Sequence, residues 1–490
     1  MTQPDTPPIT DERLPWWRKI GYGLGDIYGG GAHLIISFYY LHFLTSVVRI
    51  NPALAGTVIL ISKIYDAITD PLEGVLTDRT RTRFGRRKPY LAAGVILIFL
   101  SFFALFYPFS MDSEGTRFAY VLLTYLFFST VFSIVQVNYN ALQSEMTLDY
   151  NERTSLSGVR IFFSTASSIV CAIVPLEIVK QFQDVKQGYI VMALAFGLFF
   201  ALPYIVTVLT IREREEFQRP PQPFDWRRTF LQPFKMRTFV HVLLMYLFAF
   251  TAADIVSSVV IYFMTYTMGR GAEANYVNGT LLVVQVLSLP FYTWISRRNS
   301  KRTGFIIGGI IWIVAMLLSF FITPDQPRWV VYAFAAFVGS GTGGIVVMIY
   351  AMFPDIPDVD ELISGERREG MYYAMIGFSR KFSSALALFL VSQALAIGGY
   401  VAPVEQVIDG VTRLVEQPQT ARFLLTLRLL FGIAPILLLS MALVVAFRYR
   451  LTPDLHNRLK LLLAARRRGA EDTPEQAREA RALRAVLIDG

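Results

Sequence analysis

Two carboxylates one helical turn apart, inside an apolar run, are the sharpest chemical feature of the sequence. The segment Lys63-Ile-Tyr-Asp66-Ala-Ile-Thr-Asp70-Pro71 puts Asp66 and Asp70 on one helical face, with Cβ atoms about 6 Å apart. Bare in an apolar setting, they repel and one takes up a proton. A bound cation removes that penalty, because hard cations select carboxylate oxygens. Pro71 has no N–H, which frees the Ala67 carbonyl as a further oxygen ligand. Lys63 stands one turn back on the same face and can neutralise a carboxylate when the cation is absent. A simple Lys–Asp brace between helices needs only one acid, so the pattern favours a cation site over a brace.

Other apolar runs also carry polar groups, and intramembrane charge is by default functional. Gln136, Asn138, Tyr139, Asn140 and Gln143 form a polar row. Such a row suits a face turned to water or a ligand, and equally interhelical hydrogen bonding. Gln136 lies three residues beyond Ser133, so the two share a helical face. Arg160 and the pair Arg380-Lys381 can grip an anionic ligand or neutralise the aspartates. Asp254 lies well inside its run and fits ligand contact and helix pairing equally.

These residues need membrane-spanning helices to position them. Of 490 residues 54% are hydrophobic and 17% charged, against about 25% charged in soluble domains, which excludes a soluble enzyme. The single cysteine, Cys171, cannot form an internal bridge, and four histidines offer no basis for structural zinc. A spanning helix needs about 20 apolar residues. Twelve runs qualify, near 20–45, 53–76, 89–109, 117–143, 155–180, 188–211, 237–267, 273–296, 303–323, 328–352, 372–397 and 422–448. The expected organisation is a leader at 1–19, a six-helix bundle at 20–211, a central loop at 212–236, a second six-helix bundle at 237–448 and a tail at 449–490. The leader holds no apolar core before a cleavage site, so the first run is expected to serve as the insertion signal. Lys and Arg crowd the loops after runs two, six and eight, which places those loops and both termini in the cytoplasm. That asymmetry accounts for most of the net charge of +9 without nucleic-acid binding. The Arg-rich tail reads as a solvated or membrane-surface helix.

The segment Gly74-x-x-x-Asp78-Arg79-x-x-x-Arg83-x-Gly85-Arg86-Arg87 resembles the loop signature of the major facilitator superfamily. Asp78, Arg79 and Arg86 are accordingly expected to act in gating and packing. Tyr22-Gly-Leu-Gly-Asp26, Tyr65-Asp66-Ala-Ile-Thr-Asp70-Pro71 and Asp355-Ile-Pro-Asp358-Val-Asp-Glu361 resemble, within that superfamily, the glycoside–pentoside–hexuronide:cation symporters. The resemblance implies an all-α membrane protein, with twelve transmembrane helices in two six-helix bundles, that is a transporter and not an enzyme. It implies cation ligation by Asp66, Asp70 and Ser133 with Lys63 beside them. It also implies basic residues on helices five and eleven at Arg160 and Lys381, facing a central cavity. Asp26, Gln136, Tyr139, Asn140 and Asp254 complete the expected substrate-binding set.

The sequence also departs from the family. Where galactoside-carrying members have two sugar-binding aspartates, Gly30 and Gln136 stand here, and Asn140 replaces a tryptophan. Gly30 is expected to leave space; Gln136 still bonds hydroxyls as donor and acceptor. Another glycoside, a pentoside or a uronate fits better than a galactoside. The leading expectation is uptake of a sugar or glycoside with Na⁺ or H⁺; the alternative is a lysolipid or other amphiphile on the same fold. No Walker-type Gly-x-x-x-x-Gly-Lys-Ser/Thr occurs, and no cofactor is expected. A monomer in the cell inner membrane, with the bilayer and a small-molecule substrate as its partners, completes the reading.

Overall fold

The computed structural model describes residues 14–80, 82–146, 150–211, 233–365, 369–408, 411–467 and 473–489. Most of the leader and nearly all of the central loop lie outside the described residues. So do the side chains of Pro71, Asp78, Arg79 and Gln143.

Helices follow the apolar runs. The first run is an interrupted rod: α1 (Trp16–Leu24) and α2 (Asp26–Ile35) lead into π-helical turns at Ile36–Tyr40 and Phe43–Val48. Then come α3 (Pro52–Arg79), α4 (Lys88–Phe106), α5 (Glu114–Met146), α6 (Tyr150–Lys180) and α7 (Val185–Thr210). The second half holds α8 (Arg237–Tyr262), α9 (Ala274–Arg298), α10 (Lys301–Leu318), α11 (Arg328–Met352), the short α12 (Ile356–Ser364) and α13 (Glu369–Gly398). A ribbon of β1 (Val404–Ile408) and β2 (Val411–Val415) precedes α14 (Ala421–Arg428) and α15 (Ala434–Arg448), which one π-helical turn fuses into a single span. The tail forms α16 (Pro453–Arg467) and α17 (Pro474–Arg484). Among the described residues ten helical stretches are long and apolar enough to cross a bilayer. The two expected spans outside that set are the interrupted first one and α3, which carries Lys63, Asp66 and Asp70.

By contacts the chain forms two compact units. One comprises Met1–Ile36, Ile64–Gln222 and Glu405–Leu414; the other comprises Ser37–Lys63, Pro223–Val404 and Val415–Gly490. In the first, Lys19 on α1 is buried against Glu152 of α6 at 2.9 Å. The Thr207 hydroxyl of α7 donates to the Gly21 carbonyl at 2.7 Å, and that of Ser167 on α6 to the Ile27 carbonyl at 2.8 Å. Side-chain hydroxyls thus knit helices that gain nothing from hydrophobic burial against lipid.

In the second unit the outer segment Ser37–Lys63 is held by hydroxyl pairs. Thr45 meets Tyr262 at 2.6 Å and Ser46 meets Tyr400 at 2.9 Å. Backbones approach closely where α10 crosses α11: a Cβ added at Gly308 would lie 2.8 Å from the Gly341 carbonyl oxygen.

The tail corrects the expectation of a solvated or membrane-surface helix. His456 Nε2 of α16 lies 3.0 Å from Asp358 Oδ2 of α12, and the Thr238 hydroxyl of α8 donates to the Leu487 carbonyl at 2.5 Å. Leu459, Leu463, Leu483 and Leu487 are buried. The apolar stripe that suits a lipid surface therefore packs on α12 and α8 instead. Arg458 closes on Glu479 of α17 at 2.7 and 2.9 Å, and its guanidinium holds that carboxyl below the usual carboxylate range. Leu487→Ala should cost about 2 kcal/mol, read as a lower thermal midpoint of the detergent-purified protein. An unchanged midpoint would show that the tail does not brace the second unit.

Candidate functional site

The cation candidates sit on α3 and α5 of the first unit. The Ser129 hydroxyl donates to Asp66 Oδ1 at 2.6 Å, and the Ser133 hydroxyl makes a short hydrogen bond to Asp70 Oδ1. Both pairs are separated by 63 residues in sequence, so the two helices run parallel and in register. The result is a two-rung ladder in which acids at i and i+4 meet serines at i and i+4. Asp66, Ser129 and Ser133 are buried, Asp66 to 2% exposure. Two carboxylates and two hydroxyls within one turn make an oxygen-only donor set, the kind hard cations select. Ser129 was absent from the sequence-derived set, although its spacing from Ser133 repeats that of Asp66 from Asp70. Lys63 stands half-buried one turn earlier on α3, and Arg86 is half-buried in the loop beyond it.

A second group lies where α2, α5 and α6 meet. Arg160 Nη2 donates to Asp26 Oδ1 at 3.2 Å, and its Nε lies 3.0 Å from Oδ2. The guanidinium rests over the Tyr139 ring at 5.2 Å from the centroid. That ring stacks on Tyr22 at 4.7 Å, and the Tyr139 hydroxyl donates to the Tyr22 carbonyl at 2.7 Å. The sequence left Arg160 open between an anionic ligand and the aspartates; its carboxylate partner is Asp26, four residues before Gly30.

Gln136 is buried, and its Nε2 finds no hydrogen-bond acceptor among the described residues. A Cβ at Gly29 would sit 2.6 Å from Asp26 Oδ1 and 2.7 Å from Gln136 Nε2, so both polar groups lie close to the α2 backbone there. Gly30 does not leave space, contrary to expectation. A Cβ on it would meet the Ser164 hydroxyl and lie 2.7 Å from the Ser164 carbonyl oxygen, because α2 and α6 cross tightly at this point. Asn140 is exposed, about 100° around α5 from the buried Tyr139.

The second unit holds a matching pair. Arg380 of α13 donates through Nη1 and Nη2 to the two oxygens of Asp254 on α8, at 2.5 and 2.9 Å. Its guanidinium lies 5.2 Å from the Phe250 ring centroid. Asp254 is therefore bound to Arg380, and Lys381, the residue expected at this place, is its half-buried neighbour. Arg160 is on the fifth span and Asp26 on the first; Arg380 is on the eleventh and Asp254 on the seventh. Acid in the first and arginine in the fifth span of each half is a repeat legible in the sequence.

The chain matches the family described as MFS/sugar transport protein over residues 21–453. It is 28% identical to an uncharacterized symporter of Synechocystis sp. across 94% of this chain and 98% of the relative. It is 25% identical to the isoprimeverose transporter of Lactiplantibacillus pentosus (80% and 83% covered). With a putative glycoside/cation symporter of Escherichia coli it shares 27% identity (89% and 92%). In fold it is similar to a nucleoside transporter, with TM-score 0.61 and 14% identity over 89% of this chain and 99% of the other. The inward-open xylose transporter of E. coli gives 0.58 and 13% over 91% and 98%. At such identities the likeness is one of fold, that of the twelve-helix major facilitators. The chain is a multi-pass membrane transporter and not an enzyme, and it belongs to the glycoside–pentoside–hexuronide:cation symporter family of the major facilitator superfamily.

Proposed function

We propose that the protein imports a sugar or glycoside together with Na⁺ or H⁺ across the cell inner membrane by alternating access. One observation carries the reading: Asp66 and Asp70 of α3 each accept a hydrogen bond from a serine of α5. A hydroxyl satisfies a carboxylate lone pair without cancelling its charge, and its own oxygen still has lone pairs to offer. The four oxygens suit Na⁺; a proton shared by the two carboxylates uses the same groups. Lys63 stands by as counter-charge.

Substrate recognition falls to Asp26, Arg160, Gln136, Tyr139 and Asn140 in the first unit and to Asp254 with Arg380 in the second. Gln136 and Ser133 share a face of α5, so a cation that orders the ladder also orders the substrate side. Linkage makes the effect reciprocal. The energy suffices: one cation crossing 100 mV contributes about 2.3 kcal/mol. A tenfold cation gradient adds about 1.4 kcal/mol, and together they support accumulation of roughly several hundredfold. A lysolipid cargo calls for a cationic group to hold its phosphate, and Arg160 and Arg380 each already bind a carboxylate. The Lys/Arg-rich loops support a cytoplasmic position for both termini.

In proteoliposomes, Asp66→Asn and Asp70→Asn should abolish uptake against a gradient while preserving part of substrate exchange. If both variants concentrate substrate like the wild type, the cation assignment is wrong. Ser129→Ala and Ser133→Ala each remove a hydrogen bond to a charged group, worth about 1.5–3 kcal/mol. Each should raise the cation concentration giving half-maximal uptake by about tenfold or more. An unaltered cation dependence in both would reduce the serines to helix packing.

A further inference from the structure

Resting on the sugar-symport reading, we infer that the cargo is uncharged, and that Asp26 and Asp254 set this selectivity by neutralising the two arginines that would otherwise draw in uronates or phosphates. Each guanidinium is held by a carboxylate of its own unit. Arg160 is bound to Asp26 through Nε and Nη2, and Arg380 to Asp254 through Nη1 and Nη2.

Exposure differs within each pair. The Arg160 side chain is 24% exposed and that of Asp26 9%; for Arg380 and Asp254 the values are 25% and 4%. In each pair the exposed part thus belongs to the arginine and the buried part to the carboxylate, so the pair as a whole presents donors with no net charge. Gln136 adds a buried Nε2 donor without an acceptor among the described residues, close to Asp26 across Gly29.

Neutral hydroxyl oxygens suit such donors. A carboxylate or phosphate does not, because its desolvation must be offset by a cation that is not already matched. The other basic side chains of the expected site, Lys63 and Lys381, have interactions of their own as well. Tyr139 under one guanidinium and Phe250 under the other stabilise the arginines in place without adding charge.

The test uses the full chain in proteoliposomes, energised by a Na⁺ gradient and separately by a proton gradient. Methyl β-glucoside and methyl β-xyloside are compared with methyl β-glucuronide, which differs from the glucoside only in its carboxylate. The wild type should favour the neutral glycosides by about tenfold or more, the factor that about 1.4 kcal/mol of unmatched charge produces. Asp26→Asn and Asp254→Asn each liberate a guanidinium and should move the glucuronide-to-glucoside ratio about tenfold toward the uronide.

Thermal stabilisation of the purified variants by glucuronide gives a readout independent of turnover. The neutral double variant Asp26→Asn/Arg160→Gln should lose whatever uronide response Asp26→Asn gained. It also preserves the test if the lone charge impairs folding. A wild type that takes up glucuronide as well as or better than glucoside overturns the inference and leaves sugar symport standing. So do Asp26→Asn and Asp254→Asn variants that both keep the wild-type ratio, or a double variant that keeps the full uronide response of Asp26→Asn. If no glycoside moves under either gradient, sugar symport itself fails, and the uncharged-cargo inference falls with it.

Discussion

Hydrocarbon supplies no water, so every charge inside these bundles must be matched by a group the protein itself provides. Much of the interior follows from that demand. Arg160 is placed on Asp26 and Arg380 on Asp254. Asp26 and Gln136 both come close to the α2 backbone at Gly29. Aromatic rings lie under both inner guanidiniums because a flat face is the one apolar surface that also attracts a cation. Packing in this molecule is arranged around charge.

The matches are of two kinds. An ion pair is neutral and closed: removing either member strands the other, which is costly at depth. A serine on a carboxylate satisfies one of its oxygens and adds no charge of its own. The α3–α5 ladder is of the second kind, and the arginine pairs are of the first.

What could be read from the sequence divides along the same line. Apolar run lengths gave the spans, and the four-residue spacing of Asp66 and Asp70 gave their shared face, because both are properties of a single helix. Partners across helices were not legible in this way. Asp26 and Arg160 are 134 positions apart and Asp254 and Arg380 are 126 apart, so nothing local links them. Ser129 was passed over for the same reason, though its spacing from Ser133 could have been set beside that of the aspartates. Gly30 misled because a missing side chain reads equally as room and as close contact, and only the position of Ser164 decides. The tail misled because an apolar stripe says that something covers it without saying whether lipid or protein does.

The docked tail has a consequence in time. Thr238 at the start of α8 bonds to Leu487, 249 positions later. A ribosome adding about 5–20 residues per second delivers that partner roughly 12–50 s after Thr238 itself. Through that interval the head of α8 is synthesised and inserted without the leucines that finally cover it. Completion of the second unit thus waits on residues made long after α8, and the translation machinery, chaperones and proteases all have a window in which to act on it.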